Sequence, residues 1–192
     1  MGEEDYQRAV QLLERAQFAE AREEFAKIVV ERPDWAEAHI NLGVACLELD
    51  QVEEALAAFE RARTLAPQSE DVYYNLGVAY EKKKLLEPAQ AAYEKAISLR
   101  PTVPESHCNL GNIYREKGQL DSAIAEYRVA VDLEPYFALA HNNLAVTYAM
   151  NSDFDSAAYH LQIAQALGYA VHPDFVSHVR RELAGRKKEG PR

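Results

Sequence analysis

The chain has 192 residues and a formal net charge of −10, from 31 acidic and 21 basic side chains. It contains no run of about eighteen apolar residues, which excludes a membrane-spanning helix. An acidic surface repels phosphate backbones, which excludes nucleic acid as a partner. The sequence also lacks a glycine-rich phosphate loop and the CxxC and HExxH motifs, so we expect neither enzymatic activity nor a cofactor.

A period of 34 residues runs through most of the sequence. Its markers are four prolines, five alanines and three Leu-Gly pairs: Pro33, Pro67, Pro101 and Pro135; Ala21, Ala55, Ala89, Ala123 and Ala157; and the pairs ending at Gly43, Gly77 and Gly111. A fixed period of this length predicts a stack of similar units, each burying its apolar faces against its neighbours.

Each period contains two helices and a turn. After a weaker first pair, the predicted helices lie near residues 36–49 and 53–66, 70–83 and 87–99, 104–117 and 121–133, and 138–151 and 155–168. Asp121 is predicted to cap its helix, and Pro135 to end that helix because proline lacks a donor for the next turn. Residues 172–184 predict one more amphipathic helix, and residues 185–192 a basic disordered tail.

The in-phase prolines, alanines and Leu-Gly pairs resemble those of the tetratricopeptide repeat (TPR) family. The resemblance spans residues 2–171 in five units, 2–35, 36–69, 70–103, 104–137 and 138–171. It implies an all-α fold, a right-handed TPR α-solenoid of five helix-turn-helix repeats plus a C-terminal capping helix. It also implies a protein-binding scaffold whose first helices form a concave groove.

Asparagine occupies the same phase in four successive units, where the resemblance places the groove. An amide both donates and accepts, so a row of amides can pair with the backbone of an extended peptide. Recurring acids one turn earlier favour a peptide that carries Lys or Arg. The predicted peptide-binding residues are Asn41, Asn75, Asn109, Asn143, Asn112, Asn142, Tyr74, Val44, Val78, Glu37, Asp71 and Glu105. The row is similar to the asparagine ladder in O-linked N-acetylglucosamine transferase, although the sequence holds no catalytic domain of that enzyme.

One family mode of binding is not expected. Chaperone adaptors of this fold clamp a C-terminal carboxylate with lysine and arginine from alternate repeats. The matching positions of the second to fourth units hold Ile40, Val44, Asn75, Glu105 and Asn109, and the other registers also lack a cation. A chaperone carboxylate-clamp ligand is therefore excluded as a partner.

The alternative function is structural. The capping helix or the convex second helices of one molecule would pack on another, and the apolar residues Leu139, Met150 and Tyr159 favour this homo-oligomerisation.

Histidines and cysteines suggest neither a metal site nor a disulfide. His39, His107 and His141 share one phase, but neighbouring first helices lie about 10 Å apart, too far for ligands that sit about 2 Å from one zinc ion. Cys46 and Cys108 occupy different phases on packed helix faces, which favours free thiols. Free thiols and the absence of signal-peptide features in the first residues predict a cytoplasmic protein.

Overall fold

The computed structural model describes residues 2–189, with side chains described as far as residue 185. These residues form eleven helices and no strand. The helices are α1 Glu3–Glu14, α2 Phe18–Glu31, α3 Ala36–Glu48, α4 Val52–Leu65, α5 Glu70–Lys82, α6 Leu86–Leu99, α7 Pro104–Glu116, α8 Leu120–Leu133, α9 Ala138–Met150, α10 Phe154–Ala166 and α11 Pro173–Glu189.

The chain divides into two compact units, residues 1–101 with α1–α6 and residues 102–192 with α7–α11. We call them the N-terminal unit and the C-terminal unit. Within each unit every helix packs on the next, and first helices of neighbouring repeats also touch: α1 on α3, α3 on α5, and α7 on α9. Consecutive packed helix pairs are the arrangement of an α-solenoid, so the predicted all-α fold class is confirmed.

The periodic prolines end the second helices as predicted. Helices α2, α4 and α8 each stop two residues before a proline, and the residue between lies outside the helical region, as at Glu134 with φ −131° and ψ 91°. Proline disfavours the helical region for the residue that precedes it, so the chain leaves the helix there.

The periodic glycines lie at close helix crossings. A β-carbon on Gly43 would come within 2.4 Å of the Phe59 ring, and one on Gly77 within 2.5 Å of the Tyr93 ring. Both rings are fully buried. The missing side chain of the first helix therefore makes room for the aromatic ring of the second.

Two predicted boundaries differ from the structure. Helix α8 begins at Leu120 after Gln119, with no side-chain cap, so the prediction that Asp121 caps it was wrong. Asp121 lies in the first helical turn, where the negative carboxylate interacts favourably with the positive end of the helix dipole. It also accepts a hydrogen bond from Asn151 at 3.3 Å.

Helix α11 continues to Glu189 and therefore includes residues 185–189 of the predicted disordered tail. No proline interrupts this stretch, and after Gly185 its arginine, lysine and glutamate residues all have high helix propensity. The remaining tail residues, 190–192, lie outside the described part of the chain.

The last repeat is covered as the sequence predicts. Val176 and Val179 of α11 are buried in one cluster with Ala145, Ala157 and Leu161 of α9 and α10. Helix α11 thus shields the apolar face that α10 would otherwise expose.

Candidate functional site

The first helices of the N-terminal unit form a surface cavity of about 300 Å³. It is lined by Tyr6 from α1, by Glu37, Ile40, Asn41 and Val44 from α3, and by Asp71 and Asn75 from α5. Five of these residues belong to the predicted peptide-binding set. We call this cavity the Asn41 cavity.

The two asparagines of the Asn41 cavity are half-buried and held in place. Asn41 donates from Nδ2 to the Tyr6 hydroxyl oxygen at 2.9 Å, and Asn75 donates from Nδ2 to the main-chain oxygen of Asp71 at 2.8 Å. Neither amide makes another side-chain hydrogen bond among the described residues. Each therefore keeps its oxygen and one N–H for a ligand.

Two carboxylates give the cavity a negative rim. Glu37 and Asp71 are exposed, and Asp71 lies 3.6 Å from the Arg100 guanidinium. Burial raises the pKa of Tyr6, and the nearby Glu37 carboxylate raises it further. The Tyr6 hydroxyl therefore stays neutral at physiological pH and keeps its proton for donation.

Sequence reasoning did not include Tyr6 in the site. Tyr6 precedes Ile40 by one period of 34 residues, so extending the groove phase into the first repeat would have found it. Its ring also stacks on Trp35 with centroids 4.4 Å apart, which fixes the wall of the cavity.

Tyr74 and Val78 do not line the Asn41 cavity. The Tyr74 ring meets the buried Tyr93 ring edge to face, with centroids 6.1 Å apart. Val78 packs against the core cluster of α3 to α6. Both side chains belong to α5 and are half-buried.

In the C-terminal unit the predicted amides have different environments. Asn109 is half-buried and Glu105 is exposed on α7. Asn112 accepts through Oδ1 from the Tyr127 hydroxyl at 2.7 Å and from Asn143 at 3.1 Å.

Asn143 differs from the expectation of an open row of amides. Only 6% of its surface is exposed. Its Nδ2 donates to Asn112 and to the Cys108 sulfur, and its Oδ1 accepts from Arg115 at 3.5 Å. A buried amide needs such partners, and these partners occupy the groups that a peptide would have used.

Asn142 lines a second surface cavity, of about 260 Å³. The other lining residues are Val146 of α9, Tyr169, Ala170, Val171 and His172 of the connecting loop, and Phe175 of α11. The loop follows Gly168, whose φ of 83° suits glycine and turns the chain out of the repeat pattern. Because the loop lies outside the period, sequence phase could not reveal its contribution.

Two of the in-phase histidines, His39 and His141, act as donors to turn carbonyls. His39 Nε2 lies 3.2 Å from the Pro33 oxygen, and His141 Nε2 lies 3.2 Å from the Pro135 oxygen. At the same phase of the third repeat, the Tyr73 hydroxyl donates to the Pro67 oxygen at 3.2 Å. Each bond joins a first helix to the turn that precedes it. Among the described residues no group of three or more His, Cys, Asp or Glu side chains is arranged to hold a metal ion.

Cys46 and Cys108 are free and buried. Burial raises the pKa of the Cys46 thiol, with a further contribution from the Glu54 carboxylate. No helix in the described residues has the length and apolar character needed to cross a membrane.

Family models agree with the repeat pattern over most of the chain. Models described as tetratricopeptide repeat match residues 3–70, 70–103 and 92–125, and a TPR repeat model matches residues 111–152. No curated protein matches the sequence.

Solved structures share the fold at low sequence identity. The structure of MamA from Desulfovibrio magneticus RS-1 has a TM-score of 0.78 and 23% identity, over 88% of this chain and 97% of that one. YrrB, described as a TPR protein with an unusual peptide-binding site, has a TM-score of 0.71 and 22% identity, over 90% and 88% of the two chains. PilW, a type IV pilus biogenesis factor, has a TM-score of 0.84 and 18% identity, over 96% and 88%.

Proposed function

Because the chain belongs to the tetratricopeptide repeat family, we propose that it is a non-enzymatic scaffold that binds an extended peptide segment of a partner protein on its first helices. The observation that carries the proposal is the Asn41 cavity, where two amides, two carboxylates and an apolar floor converge. The peptide-binding site described for YrrB supports this use of the fold. Two buried free thiols fit a reducing compartment, so we propose the cytoplasm as the place of action.

The polar groups of the Asn41 cavity match a peptide backbone. Asn41 and Asn75 each retain an acceptor and a donor, and they belong to neighbouring first helices, α3 and α5. An extended strand alternates C=O and N–H groups, so one amide can pair with each. Ile40 and Val44 offer apolar contact to a side chain between these pairs.

The charges of the cavity favour a basic segment. Glu37 and Asp71 are exposed at the rim, so they attract Lys or Arg through solvent and set specificity more than affinity. None of the lining residues is a cation. A carboxylate clamp for a chaperone tail therefore has no basis in this cavity.

The test begins with a partner captured from a lysate and titrated against variants. Asn75→Ala should leave folding intact and weaken binding by about 0.5 to 1.5 kcal/mol, the net contribution of one hydrogen bond. The double variant Asn41→Ala, Asn75→Ala should weaken it further. Asn151→Ala is the matched control, because this exposed asparagine lies outside the cavity. Undiminished binding by the double variant would refute the site.

Salt and charge variants test the basic character of the peptide. Glu37→Gln with Asp71→Asn should weaken binding and reduce its dependence on salt, since exposed charges are screened over about 8 to 10 Å. Glu23→Gln, on the exposed face of α2, is the control and should change neither. An unchanged salt dependence in the double variant would argue for a neutral ligand.

Self-assembly is the second candidate function, and exposed apolar side chains in the C-terminal unit favour it. The fractional exposures are 79% for Tyr136, 62% for Tyr159 and 54% for Met150. If assembly is the function, mass measurements should show a dimer at high protein concentration. Tyr136→Ala and Tyr159→Ala should then lower its stability, whereas a constant monomer would exclude this candidate.

A further inference from the structure

A second cavity of the N-terminal unit lies between α4, α5 and α6, away from the Asn41 cavity. Its volume is about 290 Å³, and it is lined by Arg63, Tyr73, Leu76, Tyr80, Pro88, Ala91 and Ala92. We call it the Ala92 slot. A volume near the lower end of the ligand-site range suits a single ring rather than a drug-sized molecule.

The C-terminal unit shows what fits in such a slot. The positions two periods further along the chain are occupied by two histidines and a tyrosine. His141 corresponds to Tyr73, Tyr148 to Tyr80, and His160 to Ala92. There the His160 ring stacks on Tyr148 with centroids 5.7 Å apart, and on His141 with centroids 5.2 Å apart. The side chain at this phase thus fills the space between the two rings of the first helix.

In the fourth repeat the position that corresponds to Ala92 carries a carboxylate, Glu126. Glu126 accepts from His107 Nδ1 at 2.8 Å. The side chain of Ala92 ends at its β-carbon, so it has no ring to stack on Tyr80 and no carboxylate to accept a hydrogen bond. The alanine itself is 7% exposed. The third repeat therefore has an open slot where its successors have a side chain.

Polar groups around the Ala92 slot favour an N–H donor. The Tyr73 hydroxyl donates to Pro67, and the Tyr80 hydroxyl donates to the Glu60 carboxylate at 3.1 Å. Since each hydroxyl has one hydrogen, any further bond to either oxygen must be donated by the ligand.

Cations at the slot favour the face of an aromatic ring. Arg63 lines the slot, and the Lys95 ammonium lies 5.8 Å from the Tyr73 ring centroid. Arg63 also pairs with the Glu60 carboxylate at 2.6 Å, so its charge is balanced. Cations attract the π face of tryptophan more strongly than that of other rings.

We propose that the Ala92 slot is a second binding site, which takes one tryptophan side chain of a partner protein. The indole combines a flat ring of the required size with a single N–H donor, and its π face is the one that the Arg63 and Lys95 cations attract most strongly. The chain itself cannot supply this ring, because its single tryptophan, Trp35, is half-buried between Tyr6 and Arg32.

The probe is N-acetyl-tryptophanamide, titrated into ¹⁵N-labelled full-length protein and followed by NMR. We expect saturable shifts at Ala91 and Ala92, and weaker binding of N-acetyl-histidinamide. Ala92→His supplies the side chain that the fifth repeat has at this phase, and it should weaken binding by at least about tenfold, or 1.4 kcal/mol. Ala92→Met is the second variant, because its flexible side chain fills irregular space without strain. Ser98→His, on an exposed position of the same helix, is the control and should bind like wild type.

Several outcomes would overturn the proposal. These are equal binding by folded Ala92→His or Ala92→Met, the absence of saturable shifts up to the solubility limit, or shifts confined to the residues of the Asn41 cavity. A dimer that is lost in both Ala92→His and Tyr136→Ala would also overturn it, because a second copy of the chain would then be the occupant.

Discussion

Ala16 is in the left-handed region with a φ of 56°, in the turn between the two helices of the first repeat. The residues one to four periods later share this conformation: Asp50, Lys84, Gly118 and Ser152, with φ between 59° and 74°. The repeat therefore requires a left-handed residue at this phase, and only the fourth repeat has glycine there. A β-carbon makes this region unfavourable for other residues.

Ala16→Gly should stabilise the protein by about 0.5 to 1 kcal/mol, because it relieves backbone strain and removes only a methyl group. The reverse change, Gly118→Ala, should destabilise it by a similar amount. A β-carbon at Gly118 would meet no atom within 4 Å, so its effect is confined to the backbone. Urea denaturation of both variants measures the two free energies, and equal signs would contradict the explanation.

Gly77→Leu should destabilise the protein by about 1 to 3 kcal/mol or more, because the new side chain overlaps the Tyr93 ring. Val30→Leu is the matched control, since Val30 is 80% exposed and a larger apolar side chain there should change stability by less than about 0.5 kcal/mol. Chemical denaturation compares the two changes. Similar effects at both positions would show that the close crossing at Gly77 relaxes without cost.

At the scale of single elements, α11 determines how the C-terminal unit ends. A truncation after residue 172 removes Val176 and Val179 from the cluster that they share with Leu161. Burial of each valine contributes about 1.5 to 3 kcal/mol, so the truncated protein should lose several degrees of melting temperature or more.

A truncation after residue 185 is the control for α11. It keeps every residue of the apolar cluster, so the melting temperature should change little. A large decrease in this shorter truncation would show that residues beyond 185 contribute to packing.

Helices α9 and α10 meet through a pair of neutral histidines. The Pro135 oxygen only accepts, so His141 carries its proton on Nε2 and accepts at Nδ1 from His160 Nδ1, 3.0 Å away. Burial lowers the pKa of His160 to about 4, and repulsion from His141 and Arg128 adds to this effect. Burial also lowers the pKa of His141.

Stability should therefore fall as the solution is acidified. The unfolded chain takes up protons near pH 6.5, whereas folded His160 does so only near pH 4. The stability that the neutral His160 contributes is complete above pH 6.5 and is lost between pH 6.5 and 4. Denaturation at pH 7.5 and 5 measures this loss, and His160→Phe should reduce it. An unchanged loss in that variant would assign it to other groups.

At the scale of the whole molecule, the sequence predicted the fold from its period. Proline restricts the backbone and cannot continue a helix, and glycine leaves room for a close helix crossing, so their spacing located the helix ends and crossings to within one or two residues. The capping role predicted for Asp121 was wrong because the N-cap position of α8 is occupied by Gln119, a residue with no strong capping preference.

The candidate site was less accessible to sequence reasoning. Position within the repeat was enough to select Glu37, Asn41 and Asn75, which line one cavity. Position within the repeat does not, however, indicate whether a side chain is buried. Asn143 has the same phase as Asn41, yet Asn112 and Arg115 of its own unit bind its amide. Side-chain partners vary from repeat to repeat even when backbone positions do not.

The bonds from His39, Tyr73 and His141 to proline carbonyls have an evolutionary consequence. In each case donor and acceptor are six residues apart, so they are encoded within the same stretch of gene. An in-frame duplication or loss of 34 codons beginning at a proline, such as residues 33–66, copies or removes the whole bonded pair and never separates its members. Recombination at this point can therefore lengthen or shorten the array while every remaining turn keeps its donor.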